Sequence, residues 1–111
     1  MAKFMISIPV WNVENEIGYK PMTTFWQDFS IADYFGVNAV SDTFKRAFDE
    51  WKDNYKYLTE LAMVVNHKMW QWHEHNSTLS SVYENAWETV EQYAMENLKG
   101  DELSYYYRVL D

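Results

Sequence analysis

Two periods of hydrophobic repetition divide the chain. Near its start Phe4, Ile6, Ile8 and Val10 alternate with Met5, Ser7 and Pro9, and Trp11 and Val13 carry the alternation on. A period of two belongs to an extended strand. Pro9 removes one ladder bond, which favours an edge position or a bend. Gly18 and Pro21 read as a turn. A lone strand needs a partner for its backbone groups. Residues 1–22 are therefore expected to form an extended N-terminal arm or a short β-hairpin, folded back on residues 11–17, laid across helices, or paired with a second chain.

From Thr23 the period becomes that of a helix. Thr24 and Gln27 have capping-box spacing, Ser30 with Asp33 offers a second possible start, and Gly36 is a stop. Val37, Val40, Phe44, Ala47, Phe48 and Trp51 then fall on one stripe, opposite Lys45, Arg46, Asp49, Glu50, Lys52 and Asp53. This predicts an amphipathic helix over about 38–53. A third helix opens at Tyr55 on the stripe Leu58, Leu61, Ala62, Val65, Met69 and Trp72. It is the most apolar and is expected at the centre. His75-Asn76-Ser77 ends it, and Ser77 or Thr78 can cap a fourth helix running to about Leu98, with Leu79, Val82, Tyr83, Ala86, Val90, Tyr93, Ala94 and Leu98 inward. Lys99-Gly100 has the chemistry of a helix end. Asp101 can cap a short last helix to about Arg108. The expected fold is mainly α: a compact bundle of about four to five helices behind the arm, with residues 23–111 as one folded unit.

Composition narrows the function classes. At 111 residues the chain is one domain, and 48% hydrophobic with 19% aromatic residues excludes intrinsic disorder. Seventeen acids against nine bases, net −8, argue against a nucleic-acid backbone or an anionic membrane as direct partner. With no cysteine there is no disulfide, thiolate zinc site or thiol nucleophile. The first residues make a poor signal peptide, and no stretch approaches the ~18 apolar residues of a membrane span, so a cytoplasmic protein is expected.

Candidate chemistry is sparse. His67, His73 and His75 cluster in the third helix, but His67 lacks the i+4 histidine and following glutamate of a metalloprotease helix, so a polar face is favoured over a metal site. Gly18, Gly36 and Gly100 are each explained by a turn or helix stop, which leaves no phosphate-cradling loop. No Gly-x-Ser-x-Gly elbow occurs, and no spacing makes two carboxylates converge. Neither an enzyme nor a cofactor is expected. Two features remain. Glu84, Glu88 and Glu91 stand at i, i+4 and i+7, with no Lys or Arg between Lys68 and Lys99, and from residue 76 onward seven acids face two bases. Such a ridge can dock a basic patch or mimic a phosphate backbone, although solvated helix faces also look like this. The six Trp, nine Tyr and six Phe exceed what the stripes absorb. Trp11, Trp26, Trp70, Trp87 and the run Tyr105-Tyr106-Tyr107 fall off them, and such rings are enriched at interfaces. The partner-binding candidates are therefore Trp26, Trp70, Trp87, Tyr105 and Tyr106, with Glu84, Glu88 and Glu91 steering.

The segments Thr23-Thr24-Phe25-Trp26-Gln27-Asp28-Phe29-Ser30-Ile31-Ala32-Asp33, Asp42-Thr43-Phe44-Lys45-Arg46-Ala47-Phe48, Asn54-Tyr55-Lys56-Tyr57-Leu58-Thr59-Glu60-Leu61 and Leu98-Lys99-Gly100-Asp101-Glu102-Leu103-Ser104-Tyr105-Tyr106-Tyr107-Arg108 carry a resemblance. Together they resemble short uncharacterised accessory proteins encoded on conjugative elements and prophages of gut bacteria. That group has no assigned activity, so the resemblance implies a mobile-element setting and transfers no residue role. The expected function is a non-enzymatic, acidic accessory protein that binds another protein through an aromatic-rich surface. The alternatives are an anti-defence inhibitor acting as an acidic nucleic-acid mimic, and a structural homodimer.

Overall fold

The computed structural model describes residues 21–110, in which five α-helices follow one another and no strand occurs. They are α1 (Pro21–Phe35), α2 (Val37–Trp51), α3 (Tyr55–Trp72), α4 (Ser77–Asn97) and α5 (Asp101–Leu110). The expected arm or hairpin lies outside the described residues. The mainly α bundle is confirmed.

The boundaries between helices have local causes. The described α1 helix starts at Pro21, and the turn expected from Gly18 to Pro21 lies mostly outside the described residues. The helix stops at Gly36, whose φ of 108° and ψ of −168° no side chain adopts comfortably. One residue thus links α1 to α2. Asn54 caps α3, its Oδ1 accepting from the backbone N–H of Lys56 at 3.1 Å and of Tyr57 at 3.4 Å. Asn76 caps α4 in the same way, accepting from Leu79 N–H at 3.1 Å. Ser77 and Thr78, the expected caps, lie instead inside the first turn. Gly100, at φ 57°, turns the chain into α5, whose first turn carries Asp101 and Glu102 and whose last carries Arg108, as the helix dipole favours.

The α3 helix is the central element and packs against all four others. Leu58, Leu61, Ala62, Val64 and Val65 are fully buried, so its middle is enclosed on every side. From α4, Leu79, Tyr83, Ala86, Val90 and Ala94 pack onto it, and from α1, Phe25, Phe29 and Ala32 do so at spacings of four and three. The α2 helix contributes Val40 to the core and leaves Phe44, Phe48 and Trp51 half-buried along its edge.

The α5 helix corrects one expectation. Tyr105 and Tyr106 are buried, and only Tyr107 of the three consecutive rings reaches solvent. Steps of 100° around a helix allow two neighbouring residues to straddle an inward face while the third turns away. Tyr105 packs edge-on against Tyr55 at 5.3 Å between ring centres, and Tyr106 belongs to the central cluster. These two rings are buried against the core and do not form the exposed aromatic surface expected of them.

Candidate interaction surface

The outward face of α1 is set by what its inward face grips. Asp33 points into the bundle and is the acceptor for three donors. Lys68 Nζ of α3 donates to its Oδ2 at 2.7 Å, Trp72 Nε1 donates to the same oxygen at 3.1 Å, and the Tyr83 hydroxyl of α4 donates to Oδ1. Lys68 Nζ also donates to Ser30 Oγ at 3.1 Å and lies 4.8 Å from the centre of the Trp26 ring. Only 2% of the Lys68 side chain and 8% of the Asp33 side chain are exposed. A buried ion pair of this kind holds only when hydrogen bonds satisfy its remaining donors and acceptors, and here both are met. Burial, reinforced by the Asp33 carboxylate, pushes the Tyr83 hydroxyl far above its ordinary range, so it stays a protonated donor. Ser30 and Asp33, whose spacing reads as a helix start, are mid-helix residues of this cluster.

With Asp33, Phe29 and Ala32 turned inward, Ile31, Tyr34 and Phe35 turn outward, at 61%, 86% and 71% exposure. They occupy successive turns of one face, at i, i+3 and i+4. Tyr34 and Phe35 meet edge-on, with ring centres 5.2 Å apart. Ile31 and Phe35 also form one wall of a cleft of about 360 Å³ between α1 and α2. Its other walls include Ala39 and Thr43, and it is edged by Asp28, Asp42 and Arg46. Arg46 Nη2 donates to Thr43 Oγ1 at 3.3 Å. Among the described residues none of Asp28, Asp42 and Arg46 enters an ion pair. The cleft thus has an apolar wall and uncompensated charges of both signs.

A second groove, of about 480 Å³, runs between α2 and α4 over Phe44, Phe48, Val82 and Ala86, with Asn85 and Thr89 at its rim. On the far side of α4 Glu84 and Glu88 are exposed, while Glu91 is half-buried. Glu88, Glu91 and Glu96 surround Met95, itself 57% exposed, in a shallow depression. None of these glutamates forms an ion pair among the described residues.

The other predicted anchors scatter. Trp70 is exposed on α3 beside His73, at 5.4 Å between ring centres. Trp87 is half-buried against the core. Trp26 is half-buried too, between Lys68 and the His67 ring, whose centre lies 5.0 Å away. Partial desolvation there, and secondarily the Lys68 ammonium, lower the pKa of His67. His73 and His75 fall in the turn after α3 and not on the helix, and no group of three His, Asp or Glu side chains converges among the described residues. Sequence reasoning missed Ile31, Tyr34 and Phe35, although the signal was present: α1 is apolar on too many sides for one buried stripe.

No protein-family model, curated protein or solved structure matches the chain significantly. No described helix is long and apolar enough to cross a membrane.

Proposed function

We propose that this chain is a non-enzymatic accessory protein that acts by binding a protein partner, and that the contact is made at the corner where α1 meets α2. The observation that carries this reading is the exposure of Ile31, Tyr34 and Phe35 together on one face, over a cleft that two of them line. Large apolar side chains scattered singly on a surface are ordinary; a contiguous group with adjoining charges has the anatomy of a binding site. The buried cluster around Asp33 fixes the roll of α1 about its axis, so the three side chains are presented on a rigid support. This replaces Tyr105 and Tyr106 as the anchoring rings.

A second reading, the acidic nucleic-acid mimic that blocks a nuclease, is favoured by Glu84 and Glu88, exposed on α4 with no base beside them. One experiment separates the two. The tagged chain is used to capture partners from its host lysate as wild type, as Tyr34→Ala/Phe35→Ala and as Glu84→Lys/Glu88→Lys. The corner reading expects a partner that survives high salt and the lysine substitutions but is lost with the aromatic pair. Loss only on charge reversal, with release in high salt, would support the mimic and sink the corner. Both variants alter exposed positions, so their circular dichroism should match the wild type.

A further inference from the structure

We infer that the partner seated on the α1–α2 corner is a second copy of this chain, forming a two-fold symmetric dimer. The inference rests on the corner being the contact surface and names what occupies it. Charge decides among occupants. A chain of net −8 repels its own copies, so a self-contact must form where that repulsion is weakest. Along α4 and α5 six acids stand against Lys99 and Arg108. Along α1 and α2, leaving aside Asp33, which is neutralised by Lys68, four acids stand against Lys45, Arg46 and, at the C-terminal cap of α2, Lys52. The near-neutral side of the molecule is also the side carrying Ile31, Tyr34 and Phe35. A basic partner would be drawn instead to α4.

The cleft itself is self-complementary. In an isologous contact the same patch meets its two-fold mate, so each group must find its complement within that patch. Phe35 and Tyr34 supply projections and the adjoining cleft supplies a recess. Arg46 supplies one cation, and Asp28 and Asp42 supply anions, none of them paired within the chain among the described residues. A two-fold axis near Ile31 brings Arg46 of each copy toward the acids of the other. The ends of the interface gain attraction while its centre buries the exposed rings.

The test is the mass of the full-length chain in solution over a wide concentration range, by light scattering or sedimentation. The expected result is a concentration-dependent approach to twice 13.4 kDa. Phe35→Asp, counted twice in a symmetric interface, should weaken association by about 100-fold. Arg46→Glu and Asp28→Lys/Asp42→Lys should each be monomeric alone and form a mixed dimer when combined. All of these positions are exposed, and unchanged circular dichroism confirms that folding is intact. A chain monomeric throughout overturns the inference, as does a dimer indifferent to Phe35 and Arg46. If the chain is monomeric yet the Tyr34→Ala/Phe35→Ala protein loses a different captured protein, the second copy is excluded while the corner stands as the binding surface. If neither self-association nor capture depends on the corner, both readings fall.

Discussion

Asp33 is one residue on which three helices depend. It accepts from Lys68, Trp72 and Tyr83, whereas each donor gives up a single bond to it. Removing the acceptor leaves a buried ammonium without its counter-charge, the Trp72 N–H unmatched and the Tyr83 hydroxyl with only a long contact to the Phe29 carbonyl, and breaking one side of a buried pair costs about 3–5 kcal/mol. Asp33→Ala should therefore cost about 4 kcal/mol in denaturant unfolding. Tyr83→Phe, which removes one neutral donor and leaves the ion pair intact, should cost about 1.5 kcal/mol. Equal losses would show that the carboxylate does not act as the common acceptor. Tyr106 is the opposite case. Its hydroxyl is fully buried with no hydrogen-bond partner among the described residues, and burial, with the Glu91 carboxylate as a further cause, raises its pKa. A buried hydroxyl without a partner pays for desolvation and gains nothing. Tyr106→Phe is expected to leave stability unchanged or raise it by about 1 kcal/mol. A clear loss on thermal melting would mean that the oxygen is bonded after all.

At the scale of elements, the link between α1 and α2 is the most exacting. Gly36 has open space where a Cβ would stand, so its requirement is conformational and not steric crowding. A backbone at φ 108°, ψ −168° is essentially confined to glycine, and forcing another residue there costs on the order of 1–3 kcal/mol. Gly36→Ala should lower stability by that amount. Because the strain is relieved by turning α1 against α2, it should also weaken any binding at the corner more than a distant substitution of equal stability cost would. This stop was legible from the sequence, as were α2, α3 and α4, because their apolar residues recur at three and four over many turns. Capping was less legible: Asn76, Ser77 and Thr78 are all competent caps, and only the path of the turn after α3 selects Asn76. The cluster around Asp33 was not legible at all. Its members lie on three helices, and the local spacing of Ser30 and Asp33 imitates a helix start. Tyr105 and Tyr106 misled for another reason, since a triple run of rings has no period and its inward direction is set by where α5 docks. The apolar excess of α1 was readable in principle, but which of its faces is the outer one depends on Asp33 finding Lys68.

For the molecule as a whole, His67 imposes a dependence on pH. Partial desolvation of its ring beside Trp26, and then the neighbouring Lys68 ammonium, hold its pKa below the ordinary 6.5. The unfolded chain therefore takes up a proton below pH 6.5 that the folded chain resists. This contribution is complete above that pH and is lost as pH falls toward the folded value. Tm should accordingly decline as the solution is taken from above pH 6.5 to below it, and His67→Asn should flatten the decline over that interval; an unchanged slope would assign it to other groups. The cluster that sets the roll of α1 also has a consequence in time. Its bond between Asp33 and Tyr83 joins residues 50 positions apart, and that with Lys68 spans 35. The neighbours α3 and α4 are joined by a short turn, whereas the ion pair closes a stretch of chain that includes the whole of α2. Contacts closed over long stretches of chain cost entropy before they repay it. If they complete after the rate-limiting step, weakening them hastens unfolding and leaves refolding nearly untouched. In stopped-flow traces Asp33→Ala should act almost wholly on the unfolding arm, which would make this single carboxylate a determinant of how long the native molecule persists.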